Sequence, residues 1–115
     1  MLFRSALTRN EQAEYLHWQP QQTKFVDGKW VTFRDVVVHT IHMSDVEDPD
    51  LWVADHIWKW QQSEAGKWAM ENAVEKPYWT RRVDTWSYGY VYHIVARLSE
   101  QNQTFWELKW GGLNK

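Results

Sequence analysis

The run "WSYGYVYHIVARL", residues 86 to 98, limits the folds open to this chain more than any other stretch. Its apolar residues recur at the two-residue period of a strand, so Trp86, Tyr88, Tyr90, Tyr92, Ile94, Ala96 and Leu98 share one face. The reverse face carries Val91, His93 and Val95, with Phe105 and either Val31 or Phe33 expected from neighbouring strands. A sheet that is apolar on both faces needs a cover on each. A helix of the chain itself supplies one. The other falls to an N-terminal helix through Leu16 and Trp18, to a second copy, or to a foreign protein.

The remaining elements follow from local signals. Thr8 with Glu11 three residues on matches a capping box, which starts a short N-terminal helix that runs to Trp18 and stops before Pro20. In "TKFVDGKWVTF" the pair Asp27-Gly28 separates two short alternating runs, the strongest local hairpin signal. "RDVVVHTIHM", 34 to 43, continues as a β-branched strand. The acidic stretch "SDVEDPDLWVADH" is irregular up to Pro49 or later, where a helix begins. The polar "SEQNQ" reads as a loop leading into a final strand, "TFWELKWGG", with Trp106, Leu108 and Trp110 on its inner face. At 115 residues the chain makes one domain, spanning residues 1 to 115. Single strands do not alternate with long helices, so the expected class is α+β: an antiparallel sheet of four to five strands packed on one main helix, with a short N-terminal helix.

That main helix is "HIWKWQQSEAGKWAMENA", 56 to 73. At about 100° per residue, Ile57, Trp58, Ala65, Trp68, Ala69 and Ala73 gather on one arc, and Lys59, Ser63, Lys67 and Glu71 oppose them. The row Ala65, Ala69, Ala73 lets the helix lie close to the sheet. Trp60 falls off the stripe, because residues two apart do not share a helical face. The chain holds ten tryptophans, and a Trp left at the rim is a favoured anchor for another protein. Trp60, Val91, His93 and Phe105 are accordingly the expected protein contacts, through self-association or a foreign partner.

Several function classes lose support. A net charge of −2 and a pI near 6.2 give no general field for a phosphate backbone, so general nucleic-acid binding is not expected. The absence of cysteine removes disulfides, thiolate zinc sites and thiol nucleophiles. No continuous apolar run resembles a signal peptide or a membrane span, and the expected location is cytoplasmic. The acidic residues Asp45, Glu47, Asp48, Asp50 and Asp55 lack the spacing, turn glycine and distal glutamate of a calcium loop, and Asp48 before Pro49 reads as a turn or helix cap. His39 and His42, three apart in a strand, point to opposite faces and cannot chelate one ion as neighbours. No nucleophile elbow, HExxH pair or phosphate loop is present, so no catalytic residue, metal ligand or cofactor is expected.

One cationic aromatic stretch supports an alternative. "KPYWTRRVDTW", 76 to 86, interleaves cations with rings. Tyr78, Trp79, Arg81 and Arg82 are the residues of a small-ligand or nucleotide binder, with or without hydrolytic activity, if that stretch is a site. If it is a solvated linker, its rings dock into the core.

Three stretches, "SEAGKW" at 63 to 68, "YGYVYHIVARL" at 88 to 98 and "TFWELKWG" at 104 to 111, resemble small uncharacterised proteins of tailed bacteriophages. The resemblance covers about the last half of the chain and rests on aromatic patterning. It implies synthesis in a host cytoplasm and work as a virion accessory or a host-takeover factor, and it assigns no site residue. The reading that joins these strands of argument is a non-enzymatic protein-interaction or assembly protein acting through an aromatic surface.

Overall fold

A computed structural model describes residues 7–14, 22–44, 46–86 and 88–111. In chain order the elements are α1 (Glu11–Glu14), β1 (Gln22–Val26), β2 (Lys29–Met43), α2 (Pro49–Gln62), α3 (Glu64–Asn72), β3 (Tyr78–Val83), β4 (Tyr90–Ser99) and α4 (Glu100–Lys109). The architecture is α+β, with one curled antiparallel sheet of four strands in the order β1-β2-β4-β3. Three helices, α2, α3 and α4, contact its two interior strands where one main helix was expected, and α1 contacts β3.

The hairpin forms as its sequence predicts. Asp27 and Gly28 both take positive φ, 50° and 78°, the backbone a two-residue turn needs to match the twist of its strands. From that turn β2 runs 15 residues without a break. β1 pairs only with Lys29–Phe33 and β4 only with Phe33–Met43, so β1 and the first residues of β2 project past β4 as a two-stranded arm. A bulge between Val37 and His39 re-aims β2 midway and turns Val38 into the core.

β4 is one of the two interior strands, and its alternation holds. Tyr92, Ile94, Ala96 and Leu98 are buried in the main core with Val38, Ile41, Val53, Ile57, Trp60 and Ala69. Trp86 and Tyr88, expected on the same face, lie before the strand and are exposed.

The long helix expected over 56 to 73 is two helices. Ser63 leaves helical geometry, with φ −71° and ψ 163°, and its Oγ donates to the Trp60 carbonyl at 2.5 Å and accepts from the Gly66 N–H at 3.1 Å. The break resets the helical phase, which corrects the tryptophan assignment. α2 begins at Pro49, and its own buried stripe is Val53, Ile57, Trp60 and Gln61, spaced four, three and one apart. Trp60 is therefore buried at 6% exposure, and Trp58, two residues away, faces solvent at 52%. The alanine row of α3 does sit against the core, with Ala69 fully buried and Ala65 and Ala73 at its margin.

Two further elements differ from expectation. "KPYWTRRVDTW" is no linker, because Tyr78–Val83 is strand β3 beside β4. "TFWELKWGG" is no strand. Ser99 Oγ accepts from the Asn102 N–H at 3.3 Å and starts α4, which spans most of both stretches. Trp106 and Trp110 are four apart and both buried, as a helix allows; Leu108 between them is 84% exposed. Phe105 thus belongs to a helix instead of the reverse sheet face, and its ring stacks on Trp68 at 5.2 Å. Trp68, Trp106 and Trp110 complete this aromatic cluster at centroid separations of 4.9 to 5.8 Å, which joins α3 to α4.

At the N-terminus the described helix is the four residues of α1, and the continuation to Trp18, with the sheet cover expected of Leu16 and Trp18, lies outside the described residues. The cap is Asn10 rather than Thr8, since Asn10 Oδ1 accepts from the Ala13 N–H at 3.1 Å. Thr8 instead belongs to a segment that lines the free edge of β3. The Trp79 N–H donates to the Thr8 carbonyl at 3.0 Å, and the Asn10 N–H donates to the Trp79 carbonyl at 2.9 Å. An edge strand with unpaired amides invites foreign pairing, and this segment occupies it.

Candidate functional site

The tip of the arm holds an aromatic pair with little intramolecular cover. Phe25 and Trp30 are direct cross-strand partners, and their rings meet edge to face at 5.2 Å and 86°. They remain 56% and 72% exposed. The pairing continues across the ribbon through Lys24 with Val31 and Val26 with Lys29, and the pleat places both lysines on the face opposite the rings. Lys24 is tied to Glu75, which also pairs with Arg97 of β4. At the root of the arm a cleft of about 360 Å³ opens between Arg34 of β2 and Glu100, Thr104, Glu107 and Leu108 of α4.

Exposed apolar side chains also collect at the opposite end of β2. Val83, Trp86 and Tyr88 surround the β3–β4 turn, and Val46, Leu51 and Trp52 follow the end of β2. The turn lies tight against that strand end. A Cβ on Gly89 would come within 2.1 Å of the Met43 carbonyl oxygen, so only glycine fits there.

The residues predicted as one protein-contact set separate. Trp60 is buried under His39, with ring centroids 5.8 Å apart and planes 20° apart. Val91 is 1% exposed. Phe105 is 44% exposed, but on α4. Only His93 lies half-buried on the outer sheet face, in the row Thr80–His93–Thr40. Burial and the cationic neighbours Arg82 and His42 hold its imidazole below the usual histidine range.

The alternative ligand set separates too, because consecutive residues of β3 alternate between faces. Trp79 and Arg81 point inward. The Trp79 Nε1 donates to the Leu7 carbonyl at 3.0 Å. Arg81 donates to Asp50 Oδ1 at 3.0 Å and lies over the Tyr90 ring at 4.7 Å. The Tyr92 hydroxyl donates to the same Asp50 oxygen at 2.6 Å; burial and that carboxylate together raise the Tyr92 pKa well above its ordinary value. Tyr78 and Arg82 point outward. The Tyr78 hydroxyl donates to Asp35 Oδ2 at 2.9 Å, and Arg97 joins Asp35 to Glu75. These contacts make Tyr78, Trp79 and Arg81 structural joints. Arg82 differs, with no carboxylate partner among the described residues.

Another joint protects the edge of β3. Glu14 accepts a bidentate pair from Arg9 at 2.8 and 2.9 Å and also the Arg81 backbone N–H at 2.7 Å. Burial pushes the Glu14 carboxyl up, but these donors outweigh it and hold the carboxyl below its ordinary value.

His39 and His42 do fall on opposite faces, the first against Trp60 in the core and the second exposed outside. Asp48 stands at the start of α2 in a left-handed conformation and makes no side-chain cap; its carbonyl accepts from the Leu51 N–H at 3.0 Å. Asp45 lies outside the described residues, and among those described no three His, Asp or Glu side chains converge as metal ligands would. No described helix is long and apolar enough to cross a membrane. Exposed tryptophan, the signal used on the sequence, finds Trp30 only when the hairpin is known to project beyond the sheet. No protein-family model matches the chain, and neither a curated protein nor a solved structure matches it.

Proposed function

We propose that the chain is a non-enzymatic protein-interaction or assembly protein that docks through the aromatic tip of the β1–β2 arm. The observation that carries this reading is the Phe25–Trp30 pair, two large rings fixed against each other by strand pairing yet open to solvent on a projecting ribbon. Cross-strand pairing holds the rings before any partner arrives, so little side-chain entropy is lost on docking. Trp at the centre of an interface is a frequent hot spot, worth about 2 kcal/mol or more. Trp60 and Val91 have no part in this surface. The phage resemblance fits a virion accessory or a host-directed factor, acting in the virion or the host cytoplasm.

Light scattering of the purified protein across a wide concentration range, beside the Phe25→Ser/Trp30→Ser variant, tests this. The expected result is an oligomer that the double substitution dissociates while the melting temperature stays within a few degrees. If the wild type is monomeric, the same pair is tested by capture from host lysate, where a bound protein lost in the variant supports docking on a foreign partner. An oligomer or a captured protein that the variant retains removes the arm from the interface, and a monomer that captures nothing overturns the reading.

A further inference from the structure

The outer face of the sheet, at the end of β2 remote from the arm, gathers nitrogen groups that protein docking leaves unused. In one row Arg82 of β3 and His42 of β2 flank Val91 of β4. Val91 is buried beneath the row, and both flanking residues are exposed. The adjacent row is Thr80–His93–Thr40. His93 Nδ1 lies 3.2 Å from Thr40 Oγ1, and Arg82 Nε lies 3.4 Å from His93 Nε2. An arginine Nε only donates, so Nε2 accepts and the ring proton sits on Nδ1, donated to the threonine hydroxyl.

Among the described residues, the charged groups that act on the His93 ring are nitrogen groups. Arg9, Arg81 and Arg97 each pair with carboxylates, whereas Arg82 meets an imidazole at a long distance. The charged groups acting on His93 are Arg82 from β3 and His42 from β2; Thr40 and Thr80 supply only hydroxyls. Two strand spacings place the backbones of Arg82 and His42 about 10 Å apart. That gap, floored by Val91, accommodates a tetrahedral oxyanion with one donor on each side at about 2.8 Å. A divalent cation is disfavoured here by the guanidinium.

We propose that Arg82, His42 and His93 form a binding site for a phosphate-class anion, either inorganic phosphate or the terminal phosphate of a monoester. In this arrangement the Arg82 guanidinium and the His42 ring donate to the anion. His93 takes up a proton on Nε2, releases Arg82, and becomes the third donor. No bond to phosphorus forms or breaks.

The test uses the full chain and follows the histidine ring resonances by NMR at pH 6.5 as inorganic phosphate replaces chloride at constant ionic strength. His42 and His93 are expected to shift together, and His93 to titrate at higher pH with phosphate than without. The core His39, stacked on Trp60, stays unmoved and serves as internal control. Arg82→Gln, which keeps hydrogen-bonding capacity without the charge, is expected to weaken binding about tenfold, and His42→Asn to weaken it by a smaller factor. Adenosine monophosphate in place of phosphate separates the two sources: tighter binding assigns an organic phosphate, and equal or weaker binding a free anion. Unshifted His42 and His93 resonances, or an Arg82→Gln affinity equal to wild type, overturn the site.

Discussion

The imidazole of His39 lies stacked on the indole of Trp60, with centroids 5.8 Å apart and planes inclined by 20°. This contact fastens α2 to β2 just beyond the bulge, and burial holds the His39 pKa below its ordinary value of 6.5. A histidine with a depressed folded pKa stays neutral while the unfolded chain takes up the proton. Stability is therefore full above about pH 6.5 and falls as the pH drops below it. His93 adds in the same sense. The expected outcome is a melting temperature that falls between pH 7 and 5.5, above the range of ordinary carboxylates, and that falls less in His39→Phe. An equal fall in that variant removes His39 as a cause.

Trp60 and Trp58 have opposite expected effects despite standing two residues apart. Trp60→Ala opens a cavity under β2 and should cost about 3–5 kcal/mol. Trp58→Ala removes a ring that is half in solvent and should cost under about 1 kcal/mol. Urea denaturation of the two variants checks the helical phase set by Ser63.

Glu14 should prove to be the guard of the β3 edge. Glu14→Ala leaves the Arg81 N–H and the Arg9 guanidinium without their acceptor, a loss of about 1–3 kcal/mol. Hydrogen exchange at the Arg81 amide is expected to speed up more than at Tyr92 in the sheet centre. Because the Glu14 pKa is depressed, its contribution is present above about pH 4.5 and disappears as the pH falls through the folded value.

At the junction of α2 and α3 two substitutions should act in opposite directions. Gln61 is 6% exposed, and its Oε1 has no hydrogen-bond partner among the described residues. Gln61→Met removes that buried acceptor at similar volume and should raise stability by about 1 kcal/mol, or about 4 °C in melting temperature. A Cβ on Gly66 would sit 1.8 Å from the Trp60 carbonyl oxygen, so Gly66→Ala should cost about 3 kcal/mol. Thermal melts of the two variants decide both.

Much of the sheet was legible in the residues. Asp27-Gly28 located the hairpin because few residues tolerate two positive φ values in succession. The alternation of Tyr92, Ile94, Ala96 and Leu98 identified the buried face of β4, and odd spacing sent His39 and His42 to opposite sides. The last element misled because Trp106, Leu108 and Trp110 satisfy a two-residue period while Trp106 and Trp110 alone satisfy a helical one. Over so short a run the two periods overlap, and the Ser99 cap with Glu100 after it was the available deciding signal.

Local backbone preference and alternation, written into neighbouring residues, determined the turn, the strand faces and the α+β class. Tertiary structure alone decided which tryptophans are covered. A serine break shifted the helical phase by enough to exchange Trp58 for Trp60, and unequal strand lengths carried Phe25 and Trp30 beyond the sheet. It also decided the fate of the cations. Arg81 and Arg82 are adjacent in sequence, yet the pleat sends one to Asp50 and the other to His93, because a side chain's electrostatic partner is set by what lies across the strand and not by what lies along it.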